Sequence, residues 1–159
     1  VWAADGAGNK HGYKKISFDM LYAMAAEFQG MDVPMESLVA VLHPYHLADL
    51  HAENAKAYKE LIEGRKLCGT FDLFITSATA KYNGTTGEKT AFGAVGADTD
   101  AISSFMYSAD EVMRAMGDDD MFLREKDPEQ RADLIGFQKR FIALPMRNKY
   151  TGAIYSPKV

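Results

Sequence analysis

The chain has little of several things: one cysteine, one tryptophan and five prolines in 159 residues. A lone cysteine cannot staple the chain to itself, so a disulfide scaffold is excluded, and a reducing compartment fits. No apolar run approaches the ~20 residues that span a bilayer, and no charged-then-apolar leader opens the sequence. There is no Gly-x-Ser-x-Gly elbow, no His-Glu-x-x-His pair, no internal repeat and no low-complexity block. Excess charge is also small: 22 Asp and Glu against 18 Lys and Arg give −4, with a pI near 5.5. That balance argues against a surface wholly devoted to nucleic acid and leaves room for a local basic patch.

What is present is ordinary for a folded domain, 47% hydrophobic and 25% charged residues. Such a length can bury a real core. The first residues, Val1-Trp2, follow no initiator Met, and the expectation is a chain processed or excised from something longer.

Residues 1–16 are Gly- and Ala-rich at Asp5-Gly6-Ala7-Gly8-Asn9 and show no period, so they read as a flexible lead. Residues 17–159 read as a single α+β domain. Ser17 can cap a helix from Phe18 to Phe28, with Phe18, Leu21, Tyr22, Ala25 and Phe28 on one face. Gly30 and Pro34 end it. Leu38-Val39-Ala40-Val41-Leu42 reads as a strand buried on both faces. Pro44 suits the first turn of a following helix, whose stripe Leu47, Leu50, Asn54, Ala57 and Leu61 runs on to Gly64.

The remainder turns toward β-structure. Phe71 to Ile75 alternates like a strand, and Asn83-Gly84-Thr85-Thr86-Gly87 is a turn that can join antiparallel strands. Ala101 to Tyr107 is a further strand; Ser108 can cap a short helix over 110–116 that Gly117 ends. Asp127-Pro128-Glu129-Gln130 has the form of another helix start. Phe137 to Arg147 and Tyr150 to Tyr155 read as two closing strands around a turn at 147–149. The fold class expected is a mixed, mainly antiparallel sheet flanked by helices.

Four groups invite chemistry. His43, His46 and His51 lie near Asp49 and Glu53. His46 and His51 are five apart and diverge around a helix, so only His46 and Asp49 are well spaced, too few for zinc. The preferred account is a first helical turn of solvated polar groups. Cys68 reads as a small buried hydrophobe rather than a nucleophile. Asp118-Asp119-Asp120 fails as a calcium loop, because its sixth position is Leu123 where a glycine is needed, and a solvated acidic turn fits better. Gly93-Ala94-Val95-Gly96 lacks the Lys of a phosphate loop and is followed by Asp98 and Asp100. No catalytic, cofactor-binding or metal-ligating residue is assigned.

Charge is distributed unevenly. Acids crowd from Asp98 to Asp133, whereas after Asp133 only Lys139, Arg140, Arg147, Lys149 and Lys158 carry charge. Either these segments pair within one chain, or they meet between copies and fix their register.

The order of motifs resembles tailed-phage major capsid proteins. Leu38 to Pro44 followed by Leu47-Ala48-Asp49-Leu50 is similar to that family's strand, proline and helix. Gly69 to Ser77 looks like the next strand, Ala101 to Tyr107 with 110–116 like a small-residue strand and short helix, and Arg140 to Leu144 with Gly152 to Tyr155 like the closing strands. The resemblance implies the Hong Kong ninety-seven type fold, C-terminal portion only, without the N-terminal arm, extended loop or most of the spine helix. It implies a structural subunit or fragment, not an enzyme, that associates with copies of itself and other phage head proteins around DNA held by weak, non-specific contacts. Its place would be the virion, and the host cytoplasm during assembly, with no membrane and no cofactor. The alternative from another class is a small intracellular metal- or thiol-dependent enzyme using His43, His46 or Cys68.

Overall fold

Ser17 begins the first helix as its side chain dictates: its hydroxyl accepts the Met20 N–H at 3.3 Å, and α1 runs Phe18–Gly30. A computed structural model describes residues 1–91, 93–94, 96–127, 132–147 and 149–159. A carboxylate oxygen of Glu53 takes the Phe18 N–H at 2.9 Å, satisfying another of the free donors at this helix start. The apolar stripe of α1, Phe18, Leu21, Met24, Ala25 and Phe28, is buried.

The chain divides into two compact units, residues 1–109 with 148–159, and residues 110–147. This differs from the one domain expected over 17–159. The larger unit is built on a seven-stranded mixed sheet of mostly antiparallel pairs, flanked by helices, as the sequence pattern predicts. Its strands are β1 (Trp2–Ala3), β2 (Leu38–Leu42), β3 (Lys66–Leu67), β4 (Phe71–Ile75), β5 (Tyr82–Asn83), β6 (Asp100–Ser108) and β9 (Thr151–Ser156). The path is β1-β9-β6-β2-β4-β3, with β5 beside β6. Only β1–β9 and β2–β4 are parallel. On β2, Leu38, Ala40 and Leu42 are fully buried in the main core with Phe71, Met106 and Ile154.

Three readings of this unit are corrected. The opening residues are not a free lead: Trp2 pairs with Ile154, and Ala4 is buried beneath an N–H bond to Tyr155 O at 2.8 Å. The stripe from Leu47 to Leu61 belongs to two helices, α2 (Pro44–Glu53) and α3 (Ala55–Gly64). Between them Asn54 is extended, and its Oδ1 accepts the Lys56 and Ala57 N–H groups, so a residue read as helical packing is a cap. Finally, β9 pairs with β6 and β1 rather than with the strand before it.

The smaller unit departs furthest from expectation. The helix expected over 110–116 is a 3₁₀ turn, Ala109–Glu111, running into β7 (Val112–Asp127). It pairs antiparallel with β8 (Ala132–Pro145). The acidic run Asp118–Asp120 therefore lies in a strand, not a turn. The helix start read at 127–130 falls mostly outside the described residues, as does the centre of the turn at 147–149. Among the described residues no helix is long and apolar enough to cross a membrane.

Candidate functional site

Two places collect the residues singled out above: the histidines at the start of α2, and the β7–β8 ribbon.

His43 ends the strand segment and caps α2, its Nδ1 accepting the Tyr45 N–H at 3.2 Å. Its own backbone N–H donates to Ser104 Oγ of β6 at 3.0 Å. The same hydroxyl lies 2.7 Å from Nδ1 of His46. With that oxygen accepting from His43 and donating to His46, the His46 proton sits on Nε2, a buried atom with no partner. His43 and His46 are buried, against the expectation of a solvated helical turn. Burial lowers the His43 pKa. It brings that of His46 down to about 3, with His43 as a weaker contributor. Both imidazoles are therefore neutral packing groups.

Asp49 is buried as well; its carboxylate accepts from Asn9 Nδ2 at 3.0 and 3.1 Å and from the Ile16 backbone N–H. Burial raises its pKa, opposed first by the Asn9 bond. So the pair His46–Asp49 forms no ligand set, and among the described residues no three His, Cys, Asp or Glu side chains are placed to hold a metal. His51 instead packs edge-on against Tyr58. Cys68 is half-buried in a left-handed backbone conformation, φ +53°. Burial alone pushes its thiol up to about 11, with no histidine contributing. A thiol that stays protonated is a poor nucleophile. His43 and His46 lie together, ring centroids 6.0 Å apart at the start of α2, while Cys68 follows β3.

The ribbon is a different kind of feature. At ~3.3 Å per residue β7 extends for about 50 Å. Its register contains two shifts, one between Met116 and Asp119, where three steps on β7 match two on β8, and one further out between Arg124 and Asp127. An extra residue of this kind resets which face the later side chains occupy. Here it matters: cross-strand pairs Met116–Phe141, Met121–Phe137 and Leu123–Ile135 all fall on one face. Without the bulge Met121 and Leu123 would turn to the opposite side. Phe137 is 80% exposed, Phe141 70% and Met121 65%. At the centre of this face Lys139 Nζ donates to Asp119 Oδ2 at 3.1 Å. At the ribbon's base the Met146 N–H donates to Glu111 O at 2.7 Å, and Arg147 pairs with the Glu111 carboxylate at 3.6 Å.

These pairs bear on the uneven charge. Asp119–Lys139, Glu111–Arg147 and Asp98–Lys158 each join the acidic middle to the basic end within one chain. All are largely exposed on at least one partner, so each adds little stability. Beside these pairs the ribbon exposes large apolar side chains.

The sequence matches no protein-family model, and no curated protein matches it significantly.

Proposed function

We propose that the protein is a structural subunit, or a portion of one, of a tailed-phage or prophage coat that packs with copies of itself into a DNA-enclosing shell. The observation that supports this most is the apolar face of the β7–β8 ribbon. A two-stranded ribbon is marginal by itself in water. One that presents Met116, Met121, Leu123, Ile135, Phe137 and Phe141 together needs another surface against it. The order of strand, proline, helix and later strands is similar to the coat family and supports the same reading. Its role there is packing, not catalysis. Partners are copies of the chain and other head proteins, with weak, non-specific contact to the packaged DNA; the location is the virion, and the host cytoplasm during assembly.

Light scattering and negative-stain microscopy of the purified protein test this. Concentration-dependent assemblies are expected, and Phe137→Asp with Phe141→Asp abolishes them while circular dichroism of the larger unit's helices is unchanged. A wild-type protein that stays monomeric at every accessible concentration overturns the reading.

A further inference from the structure

The turn 10–15, Lys10-His11-Gly12-Tyr13-Lys14-Lys15, carries three lysines and no acid in a chain of net charge −4. It is held rigidly. Asn9 Oδ1 accepts the N–H groups of His11 at 2.9 Å and Tyr13 at 3.0 Å. Gly12 adopts φ +79°, the left-handed conformation that a tight turn asks of glycine. Asn9 Nδ2 then ties the turn to Asp49 on α2, and Lys14 N–H ties it to Pro157 O at 2.9 Å.

The turn therefore places rings as well as charges. His11 stacks on Tyr45 with centroids 4.1 Å apart and planes 4° from parallel. Tyr13 lies 6.2 Å from the same ring, and His43 meets it edge-on. His11 is exposed and Tyr45 is 39% exposed, so the stack ends in solvent. Lys10 and Lys15 are exposed beside it in sequence. Of the nearby acids, Asp49 is buried under Asn9 and attracts Lys15 and His11, Asp5 and Glu53 line the same cleft as Lys15, and Asp98 pairs with Lys158 at 3.8 Å.

We propose that this turn, with Tyr45, is a binding surface for single-stranded nucleic acid. Lysines on a fixed turn neutralise phosphates, and an open stack of flat rings accepts an unpaired base on its outer face. Duplex bases are already stacked on one another and cannot use such a platform. The inference goes beyond the coat reading and does not rest on it: it stands on residues apart from the ribbon and concerns unpaired strands, not the packaged duplex.

Fluorescence anisotropy with labelled oligothymidylate and with a duplex of equal length tests it on the full chain. The expected result is preferential binding of the single strand, with log affinity falling against log salt at a slope of about −2, from three lysines at ~0.7 each. Lys10→Gln with Lys15→Gln brings the slope to about −0.7. His11→Ala and Tyr45→Ala each weaken binding about fivefold or more and leave the slope unchanged. His11 is exposed, so that variant keeps its fold. Equal affinity for the duplex overturns the proposal, as does binding that neither His11→Ala nor the lysine variant alters, or no binding at all. Light scattering on the same samples separates the outcomes: assembly through the ribbon is unaffected by these substitutions, so either proposal can fail alone.

Discussion

Ser104→Ala isolates the polar link that fixes the β2–α2 junction. Ser104 is 2% exposed, and its hydroxyl serves both the His43 N–H at 3.0 Å and His46 Nδ1 at 2.7 Å. Removing one oxygen leaves two buried groups unpaired, and water cannot reach either. Each stranded group costs roughly 1–3 kcal/mol, so the loss is about 2–6 kcal/mol, a large share of the 5–15 kcal/mol typical of a whole domain. The sole tryptophan, Trp2, lies on β1 and packs against the core, so urea unfolding followed by its fluorescence reports on the larger unit. Adding His46→Leu removes the second polar partner along with the first. Replacing both members of a buried hydrogen bond is far cheaper than orphaning one, so the double variant recovers at least about 1 kcal/mol relative to the sum of the singles. A loss below about 0.5 kcal/mol for Ser104→Ala, or strict additivity, refutes the reasoning.

Gly152 lies under α1, where an added Cβ would sit 2.8 Å from Met24 Sδ and 3.2 Å from Phe28 Cε2; Gly152→Ala is expected to destabilise by about 1–3 kcal/mol in the same urea assay. Asn54→Ala removes the acceptor for two N–H groups at the start of α3 and should cost about 0.5–2 kcal/mol, seen as a loss of helical circular dichroism at lower temperature. His46 is neutral when folded, with a pKa of about 3 against 6.5 for the free side chain, so its contribution is complete above pH 6.5 and declines as pH falls toward 3. The decline is at most about 1.4 kcal/mol per pH unit. Asp49, raised by burial, acts in the opposite sense, because its protonated form is favoured in the folded state. Urea midpoints measured from pH 7 to 4 should fall, and fall less in His46→Leu. Association through the ribbon, being apolar, should persist or strengthen in high salt by light scattering; dissociation by salt would return the weight to charge pairing between copies.

The regular parts of the larger unit were legible because they obey local rules. Ser17 caps, Pro44 opens a helix, and the five-residue apolar run between two prolines is a strand that the main core covers. Most failures share a cause, a deciding contact far away in sequence, and Asn54 is the local exception. Asn54 continues a helical stripe by spacing, yet its side chain serves better as a cap than as packing. His46 looks solvated until Ser104, 58 residues later, folds against it. The one available signal was the pair Ser103-Ser104 inside an otherwise apolar strand, since small hydroxyls in a core usually answer a buried polar group. Ser103 does so too, donating to the carbonyl of Ala80. Segment 112–127 holds four Asp, three Met, two Arg and a Gly, few residues with strand preference, and pairing with β8 makes it a strand.

The bulge in β7 connects that misreading to function. Val112 to Asp127 shows no clean alternation, which is why no strand is evident from its pattern. Once the extra residue between Met116 and Asp119 is taken out, Val112, Met116, Met121 and Leu123 share a face with Ile135, Phe137, Phe141, Ala143 and Pro145, interrupted by Arg114 and by the Asp119–Lys139 pair. The opposite face is mixed, with Asp120, Arg124, Gln138 and Arg140 among Met113, Phe122, Ile142 and Leu144. An irregularity that gathers one apolar face is hard to explain as a requirement of the ribbon itself, because an isolated hairpin gains nothing from it. It is explained by a surface laid against that face. Gly117 stands in the bulge, where Cβ would meet Arg140 Cβ at 3.5 Å, so Gly117→Ala is tolerated sterically, while deletion of Gly117 removes the extra residue and leaves Met116, Met121 and Leu123 on the same face through regular alternation. Deletion should therefore preserve association, in contrast to Phe137→Asp with Phe141→Asp. Loss of assembly by the deletion variant in light scattering would show that the bulged backbone itself, and not the shared apolar face, carries the contact.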